Sequence, residues 1–357
     1  CEQARHKVHI DQGKLDADIH AINADGMIID LRTGEARRSR HDDYCTSSIG
    51  TIYEPGAECP QFKAFLDRIM DGSDDLKAYL QRAVGYSLTG DIKEQCFFIA
   101  HGSGANGKSV FLSLIRKMIG DYGRNVSMTT LMATKTGGSV SNDIARLRGA
   151  RFVTASEGEA HQRLKESFIK ELTGGEQVTA RFLFQEHFEF IPQLKLWMAT
   201  NHKPKVSGDD PAIWRRIHLI PFKVVIPPDE QDGDLPRKLE GEMSGVLNWA
   251  IHGAVDWYRY GLMPPKEVLS ATEAYRTEMD IFSRFLGEGI IIKREGRISK
   301  AILYTAYCRW ASDEGGEPLS KTEFGKRMKR RGYEDGKSKS GRYWKDIEID
   351  DGGVFSL

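Results

Sequence analysis

The stretch Gly102-Ser103-Gly104-Ala105-Asn106-Gly107-Lys108-Ser109 constrains this chain more than any other feature. It fits the pattern G-x-x-x-x-G-K-[ST]. It stands between a short apolar run, Cys96 to Ala100, and a segment whose Val110, Leu112, Leu114, Ile115, Met118 and Ile119 recur at helical spacing before Gly120. A buried strand, a glycine-rich turn and a helix are therefore predicted in that order. Such a turn lets backbone N–H groups face phosphate oxygens, and the helix start adds partial positive charge. Lys108 would reach the β and γ phosphates, and Ser109 would ligate a magnesium ion. Gly102, Gly104, Asn106, Gly107, Lys108 and Ser109 are thus the expected nucleotide-binding residues, with ATP and Mg2+ as ligands. The bland alternative, a chance glycine loop capping a helix, requires lysine, serine, strand and helix to coincide.

Three more apolar runs, Phe152 to Ala155, Leu194 to Ala199 and Ile217 to Pro221, suggest a parallel sheet flanked by helices. The run at Phe152 leads into Ser156-Glu157. Glu157 is the expected base for the attacking water and, with Ser109, the expected metal group; Ser156 or Glu159 could assist, and a solvated acidic loop is the plain alternative. The run at Leu194 ends in Thr200-Asn201, where an amide can sense the γ-phosphate or simply close a turn. Asp210-Pro211-Ala212-Ile213-Trp214-Arg215-Arg216 sets paired arginines before the last strand. In a ring ATPase such an arginine can complete a neighbour's site, although most Arg-Arg pairs are surface features.

A length of 357 residues exceeds one ordinary core, so two or three domains are expected. The beginning, Cys1-Glu2-Gln3-Ala4-Arg5, has neither methionine nor a signal-peptide pattern and reads as part of a longer polypeptide. No run approaches a membrane span, and the five cysteines lack a C-x-x-C pair, which suits a reducing cytoplasm better than a disulfide or zinc framework. With 51 basic and 51 acidic residues, any nucleic-acid binding must come from local patches. One such patch spans residues 319 to 345, where basic residues far outnumber acidic ones. Four segments are expected: 1–90, a lead-in and helical collar; 91–226, the ATPase core; 227–280, a helical extension; and 281–357, a small module with two helices and an alternating final strand.

The ordered set Gly-x-Gly-x-Asn-Gly-Lys-Ser, Ala-Ser-Glu, Lys-Glu-Leu-Thr-Gly-Gly, Ala-Thr-Asn-His-Lys-Pro and Ile-Trp-Arg-Arg resembles the superfamily 3 helicases. More narrowly, it is similar to phage and plasmid primase-helicases related to the poxvirus primase-helicase. Tyr53 to Pro60 and Gly85 to Gly90 resemble that family's N-terminal helical domain, and Leu303 to Tyr307 with Gly341 to Trp344 its winged-helix module. The resemblance implies an α/β fold: an AAA+ P-loop NTPase core with an N-terminal helical domain and a C-terminal winged-helix-like module. It implies a homo-hexameric, ATP-driven DNA helicase moving 3′ to 5′ on single-stranded and forked DNA, encoded by a phage, prophage or plasmid and working in the bacterial cytoplasm. A primase or primase-polymerase upstream in the same polypeptide is also implied. Carried over by position, Glu157 is the Walker B acid, Asn201 the sensor, Arg216 the preferred arginine finger with Arg215 the alternative, and Lys170 the lysine between Walker B and sensor.

The segment Val178 to Phe190 corresponds in that family to a hairpin projecting into the ring's channel. Viral relatives often carry lysine at its tip. This chain has Phe184-Gln185-Glu186-His187, so DNA contact would rest on Phe184 stacking, on His187 or on Arg181, with Lys170 a further candidate. A structural hairpin whose aromatics fill a core is the competing expectation. Ser156 is a second departure, since some relatives have an acid there. In the basic patch, Lys329 and Arg330 are the candidate DNA contacts, weighed against a solvated charged face. An origin-melting ATPase without processive unwinding, or a small-molecule phosphotransferase, would share the phosphate loop.

Overall fold

Asp25 and Gly26, both with positive φ (47° and 81°), make a two-residue turn that pairs β1 (Ala21–Ala24) with β2 (Met27–Asp30); β3 (Ala36–Arg38) completes an antiparallel meander. The computed structural model describes residues 12–133, 141–156, 162–206, 210–314, 318–339 and 341–349. Two helices follow the meander. α1 (Pro60–Ile69) begins on a proline and buries Phe62, Phe65, Leu66 and Ile69. Asp71-Gly72-Ser73 separates it from α2 (Asp74–Leu88), whose first turn is capped by the Ser73 hydroxyl accepting from the Leu76 N–H.

The central elements are β4 (Phe97–His101), α3 (Lys108–Ile119), β5 (Gly123–Ser127), α4 (Met128–Leu131), α5 (Ser141–Ala145), β6 (Phe152–Ser156), α6 (Glu166–Gly174), β7 (Val178–Ala180), β8 (Phe188–Phe190), β9 (Lys195–Thr200), α7 (Pro211–Trp214) and β10 (Ile217–Pro221). Five strands form one parallel sheet in the order β10-β4-β9-β6-β5. β9 is buried along its whole length, as expected of a parallel strand covered on both faces. The expected strands and helices stand within one or two residues of their positions, and the mixed α/β class with a parallel sheet holds. β7 and β8 pair antiparallel as a separate hairpin.

α8 (Leu235–Glu240), α9 (Met243–Tyr260) and α10 (Lys266–Met279) follow. α9 lies against α2 at backbone contact. A β-carbon on Gly85 would fall 2.0 Å from the Ala254 nitrogen, and one on Gly253 would fall 2.0 Å from the Gln81 carbonyl oxygen. Only glycine permits that approach.

The chain divides into two compact units, and the division falls within α10 between Glu273 and Ala274. The second unit contains α11 (Ile281–Gly289), β11 (Ile290–Ser299), α12 (Lys300–Asp313), α13 (Lys321–Arg330), β12 (Asp335–Ser338) and β13 (Gly341–Ile349). Its strands form an antiparallel sheet in the order β11-β13-β12, and Phe285, Tyr307, Trp310, Phe324 and Trp344 lie in its own core. The long strand β11 was not expected from the sequence.

Two buried cations fasten the lead-in segment to the strand-start end of the parallel sheet. Arg151 donates to the carbonyls of Ala21 (2.7 Å), Leu88 (2.9 Å) and Asp18 (3.1 Å) and lies over the Tyr122 ring. Lys195 donates to the carbonyls of Thr89, Asp91 (3.1 Å) and Gln193 (3.0 Å). Both pKa values are lowered by burial, and backbone oxygens rather than carboxylates receive the protons. On β10, the His218 Nδ1 lies 2.5 Å from the Tyr79 hydroxyl of α2, with the two rings stacked.

Burial pulls His218 from 6.5 down to about 4, so between those values the unfolded chain holds a proton that the folded chain rejects. The sheet-bearing unit should therefore lose stability as pH falls from about 6.5 towards 4, by about 3 kcal/mol. Urea unfolding across that range should show the loss, and His218→Asn should flatten it; equal slopes in both proteins would refute the assignment.

Candidate functional site

In an open parallel sheet, ligands gather beyond the carboxyl ends of the strands, where loops and helix starts converge. The glycine-rich loop follows β4 at that edge. Gly104 and Gly107 take φ of 113° and 77°, so the loop curls before α3 begins at Lys108. Its back is sealed. A β-carbon on Gly102 would lie 2.1 Å from the Asn106 Nδ2 and 2.3 Å from the Phe222 carbonyl oxygen, and one on Gly107 would meet Ile69 and Phe65 of α1. A β-carbon on Gly104 would meet nothing within 4 Å, so the loop's other side is open.

Lys108 is buried, and its ammonium donates to three neutral oxygens: the Gly102 carbonyl (2.9 Å), the Asn106 Oδ1 (2.7 Å) and the Asn201 Oδ1 (3.0 Å). Burial lowers its pKa. Asn106, also buried, donates its other amide end to the Phe222 carbonyl (3.3 Å), just past β10. Asn201 arrives from the end of β9, which the strand order inserts between the loop strand β4 and β6. Ser109 is exposed at the start of α3. The cation, the curled glycine backbone and the helix start suit a triphosphate, and the exposed Ser109 hydroxyl beside them suits its magnesium ion.

The structure thus brings Gly102, Gly104, Asn106, Gly107, Lys108, Ser109 and Asn201 together. β6 ends at the exposed Ser156, which pairs with Ala199 two residues before Asn201. Glu157 and Glu159 lie outside the described residues.

The paired arginines lie elsewhere. They precede β10, whose first residue pairs with Phe97 and whose last pairs with His101, so they stand at the strand-start end, roughly 15 Å from the loop at the usual rise per residue. They line a cleft of about 550 Å³ with Gln95, Lys170, Glu171 and Glu176. Arg216, the preferred finger, is buried and donates to the Thr173 hydroxyl (3.2 Å) and the Ala212 carbonyl (2.7 Å); Arg215 is exposed. Lys170 is bound to the Asp210 carboxylate at 2.6 Å, which holds that acid below its usual pKa. Lys170 therefore belongs with the arginine cleft and not with the hairpin contacts. Thr173 and Asp210 were not singled out from sequence, although each sits inside a motif that was.

At the β7–β8 hairpin, Phe184 is 98% exposed with φ of 62°, and Leu183 is 68% exposed. Phe182 stacks on Phe188, and the Arg148 guanidinium lies over Phe188. Val178 and Phe190 anchor the hairpin base in the core. The core-filling expectation therefore holds for the base and fails at the tip. Arg181 and His187 are also exposed. In the second unit Lys329 is held by Asp335 at 3.2 Å, while Arg330 is exposed.

Residues 1–71 match a family model described as D5 N terminal like, and residues 100–216 match a family of unknown function. The chain is 28% identical over 299 residues to a "Putative helicase" of Acanthamoeba polyphaga mimivirus, covering 78% of this chain and 31% of that protein. It is 28% identical to a "Putative helicase" of Frog virus 3, covering 70% and 27%. It is 23% identical to a "Putative primase" of African swine fever virus, covering 83% and 34%. The chain thus spans about a third of the length of these relatives. Its fold is similar to apo structures of the NrS-1 C-terminal region; one aligns with a TM-score of 0.54 at 12% identity, covering 94% of this chain and 84% of that one. Among the described residues no helix is long and apolar enough to cross a membrane.

Gly102→Ala should force the Asn106 side chain off the Phe222 carbonyl and loosen Lys108. A loss of about 1–3 kcal/mol is expected, read as a lower thermal unfolding midpoint, and an unchanged midpoint would contradict the packed loop.

Proposed function

We propose that this chain, akin to the D5-like primase-helicases by its N-terminal segment and its viral relatives, is the ATP-hydrolysing motor of a DNA-replication helicase. The observation that carries the reading is the Lys108 ammonium shared by the loop and Asn201. It joins the phosphate-binding element to a strand-end amide that can sense whether the terminal phosphate is present. The strand order, with the sensor strand between the loop strand and the acid strand, supports an AAA+ core of the superfamily 3 kind.

In this reading the loop N–H groups and Lys108 hold the phosphates, and Ser109 with Glu157 would hold Mg2+, which when bound supplies charge neutralisation at the phosphate oxygens. Glu157 takes the proton of the attacking water as a new P–O bond forms at the γ-phosphorus and the bond to the β-phosphate oxygen breaks, releasing ADP and inorganic phosphate. Asn201 orients that water. Arg215, exposed and at the opposite end of the sheet from its own loop, is the better-placed finger for a neighbouring subunit's site, and Arg216 and Lys170 support it from within the cleft. That separation supports a ring, with six subunits the expected number. The exposed Phe184 and Leu183 suit contact with single-stranded bases, with Arg181 and His187 beside them. Movement 3′ to 5′, an upstream primase and a phage, prophage or plasmid origin are part of the proposal and rest on the motif resemblance alone.

The direct test is ATP hydrolysis with and without single-stranded DNA, beside mass by light scattering. DNA should stimulate hydrolysis in an assembled, multi-subunit species, whereas a monomer hydrolysing ATP indifferently to DNA would overturn the reading. Lys108→Ala should abolish nucleotide binding; Glu157→Gln should bind ATP and hydrolyse it at least about a hundredfold more slowly, within the range of general-base effects. Arg215→Ala should be inactive alone and should depress wild-type activity on mixing more than in proportion to its share.

A further inference from the structure

We infer that neighbouring copies of this chain are joined by ion pairs between opposite edges of their parallel sheets, with Glu171 and Glu176 of one copy received by Arg116, Arg124 and Arg146 of the next. The inference rests on the reading of Arg215 as a finger for a neighbour's site, which it deepens by naming what seats the finger.

The first observation is a cationic cavity beside the phosphate loop. α3 buries one face, with Phe111, Leu114, Ile115 and Met118 in the core. Its opposite stripe, Ser109, Ser113 and Arg116, lines a cavity of about 880 Å³ together with Arg124 and Asn125 of β5 and Arg146 beyond α5. Lys117 and Glu240, at the same cavity, pair with each other at 2.5 Å. Arg116 donates to the Thr154 hydroxyl (3.3 Å), and Arg124 to the carbonyls of Asp121 (2.7 Å) and Gly123 (2.8 Å). Among the described residues none of the three arginines, Arg146 included, meets a carboxylate. A guanidinium presents a planar fork of donors that suits a carboxylate. Three of them around one cavity, whose lining acid is already taken, favour an incoming carboxylate.

The second observation is a pair of acids in the same condition beside Arg215. Glu171 and Glu176 line the arginine cleft, the first half-buried and the second exposed. The other charges of that cleft are matched from within. Lys170 is held by Asp210 at 2.6 Å, and Arg216 donates to the Thr173 hydroxyl and the Ala212 carbonyl. Arg216 feels the charge of Glu176 without forming an ion pair with it. The cleft is left with Arg215, Glu171 and Glu176, and among the described residues neither acid has a cationic partner.

The third observation is where the two surfaces stand. The sheet order puts β10 at one edge and β5 at the other, four strand steps or roughly 19 Å apart. The acids gather at the entry to β10, and the arginines beside β5. Complementary surfaces on different sides of one molecule make a head-to-tail contact, which closes into a ring when the rotation between copies allows. Ser109 ties the contact to the chemistry, because it lines the arginine cavity and is also the expected magnesium ligand. A neighbour whose Arg215 reaches those phosphates therefore lays Glu171 and Glu176 against the arginines next to them.

The test is mass by light scattering of the full chain over a protein concentration series, with magnesium and a non-hydrolysable ATP analogue. Two charge reversals are compared, Glu171→Arg with Glu176→Arg, and Arg124→Glu with Arg146→Glu. Each alone sets like charges across every contact and should need at least about tenfold more protein to assemble. An equimolar mixture sets opposite charges across every contact of an alternating ring, and should assemble within about twofold of the wild-type concentration. A single chain carrying all four changes should do the same. The neutral pair Arg124→Gln with Arg146→Gln should weaken assembly by a smaller factor while its unfolding midpoint stays that of wild type. Wild-type assembly in any of these three pairs, or a loss that neither the mixture nor the fourfold variant repairs, would overturn the interface. Nucleotide or oligothymidylate binding that is lost in the arginine reversal and not restored by mixing would also overturn it, giving the arginines to that ligand. Hydrolysis with and without DNA separates the two readings. If wild type assembles and DNA stimulates it but mixing fails, the interface falls and the motor stands; if mixing restores assembly without hydrolysis, the motor falls and the interface stands.

Discussion

The Lys108 ammonium, held by three neutral oxygens from separate parts of the chain, is the interaction on which the rest of the site depends. One oxygen belongs to the start of the loop, one to Asn106 within it, and one to Asn201 at the end of another strand. Because Asn106 also reaches the carbonyl of Phe222, the ends of β4, β9 and β10 are registered around a single buried charge. Among the described residues the charge is hydrogen-bonded but has no carboxylate partner, the condition under which an arriving anion gains most. The helices of the lead-in segment share in this arrangement, since Phe65 and Ile69 pack against Gly107 and leave no room for a side chain there.

The two ends of the parallel sheet do different work. The phosphate loop and Asn201 gather at the strand-finish end. Arg151, Lys195 and the cleft with Arg215 gather at the strand-start end, and the β7–β8 hairpin joins β9 there. Arg151 and Lys195 donate to backbone carbonyls near the end of α2, where the helix dipole favours positive charge. The lead-in segment is thus hydrogen-bonded to the same end of the sheet at which the hairpin and the arginine cleft stand.

What was legible in the sequence was local. The loop, its strand and its helix lie within about two dozen consecutive residues, so glycine spacing and periodicity sufficed. Asn201 was marked by its place at the end of an apolar strand, where a turn asparagine reads the same; its contact with Lys108, which crosses 93 positions, is what separates the two. Long-range partners were not legible. Nothing in Arg151 or Lys195 separates them from ordinary strand-end charges until the carbonyls of residues 18 to 21 and 88 to 91 are folded over them. Arg215 and Arg216 are adjacent, and only the entry into β10 turns one outward and the other onto Thr173. Lys329 looked like its basic neighbours until Asp335 was seen beneath it. Phe184 ran against the usual burial of aromatics, and β11 was missed because its polar half, Lys293 to Arg297, hid the alternation.

The most direct measurement of the central claim is strand displacement on a forked duplex with a single-stranded tail, in ATP and in a non-hydrolysable analogue. A motor predicts displacement of the labelled strand that requires hydrolysis and a tail, and that is lost in Phe184→Ala while hydrolysis continues. ATP-dependent assembly on the duplex with no strand released would contradict the account and make the chain an ATPase that marks or melts a site without travelling from it.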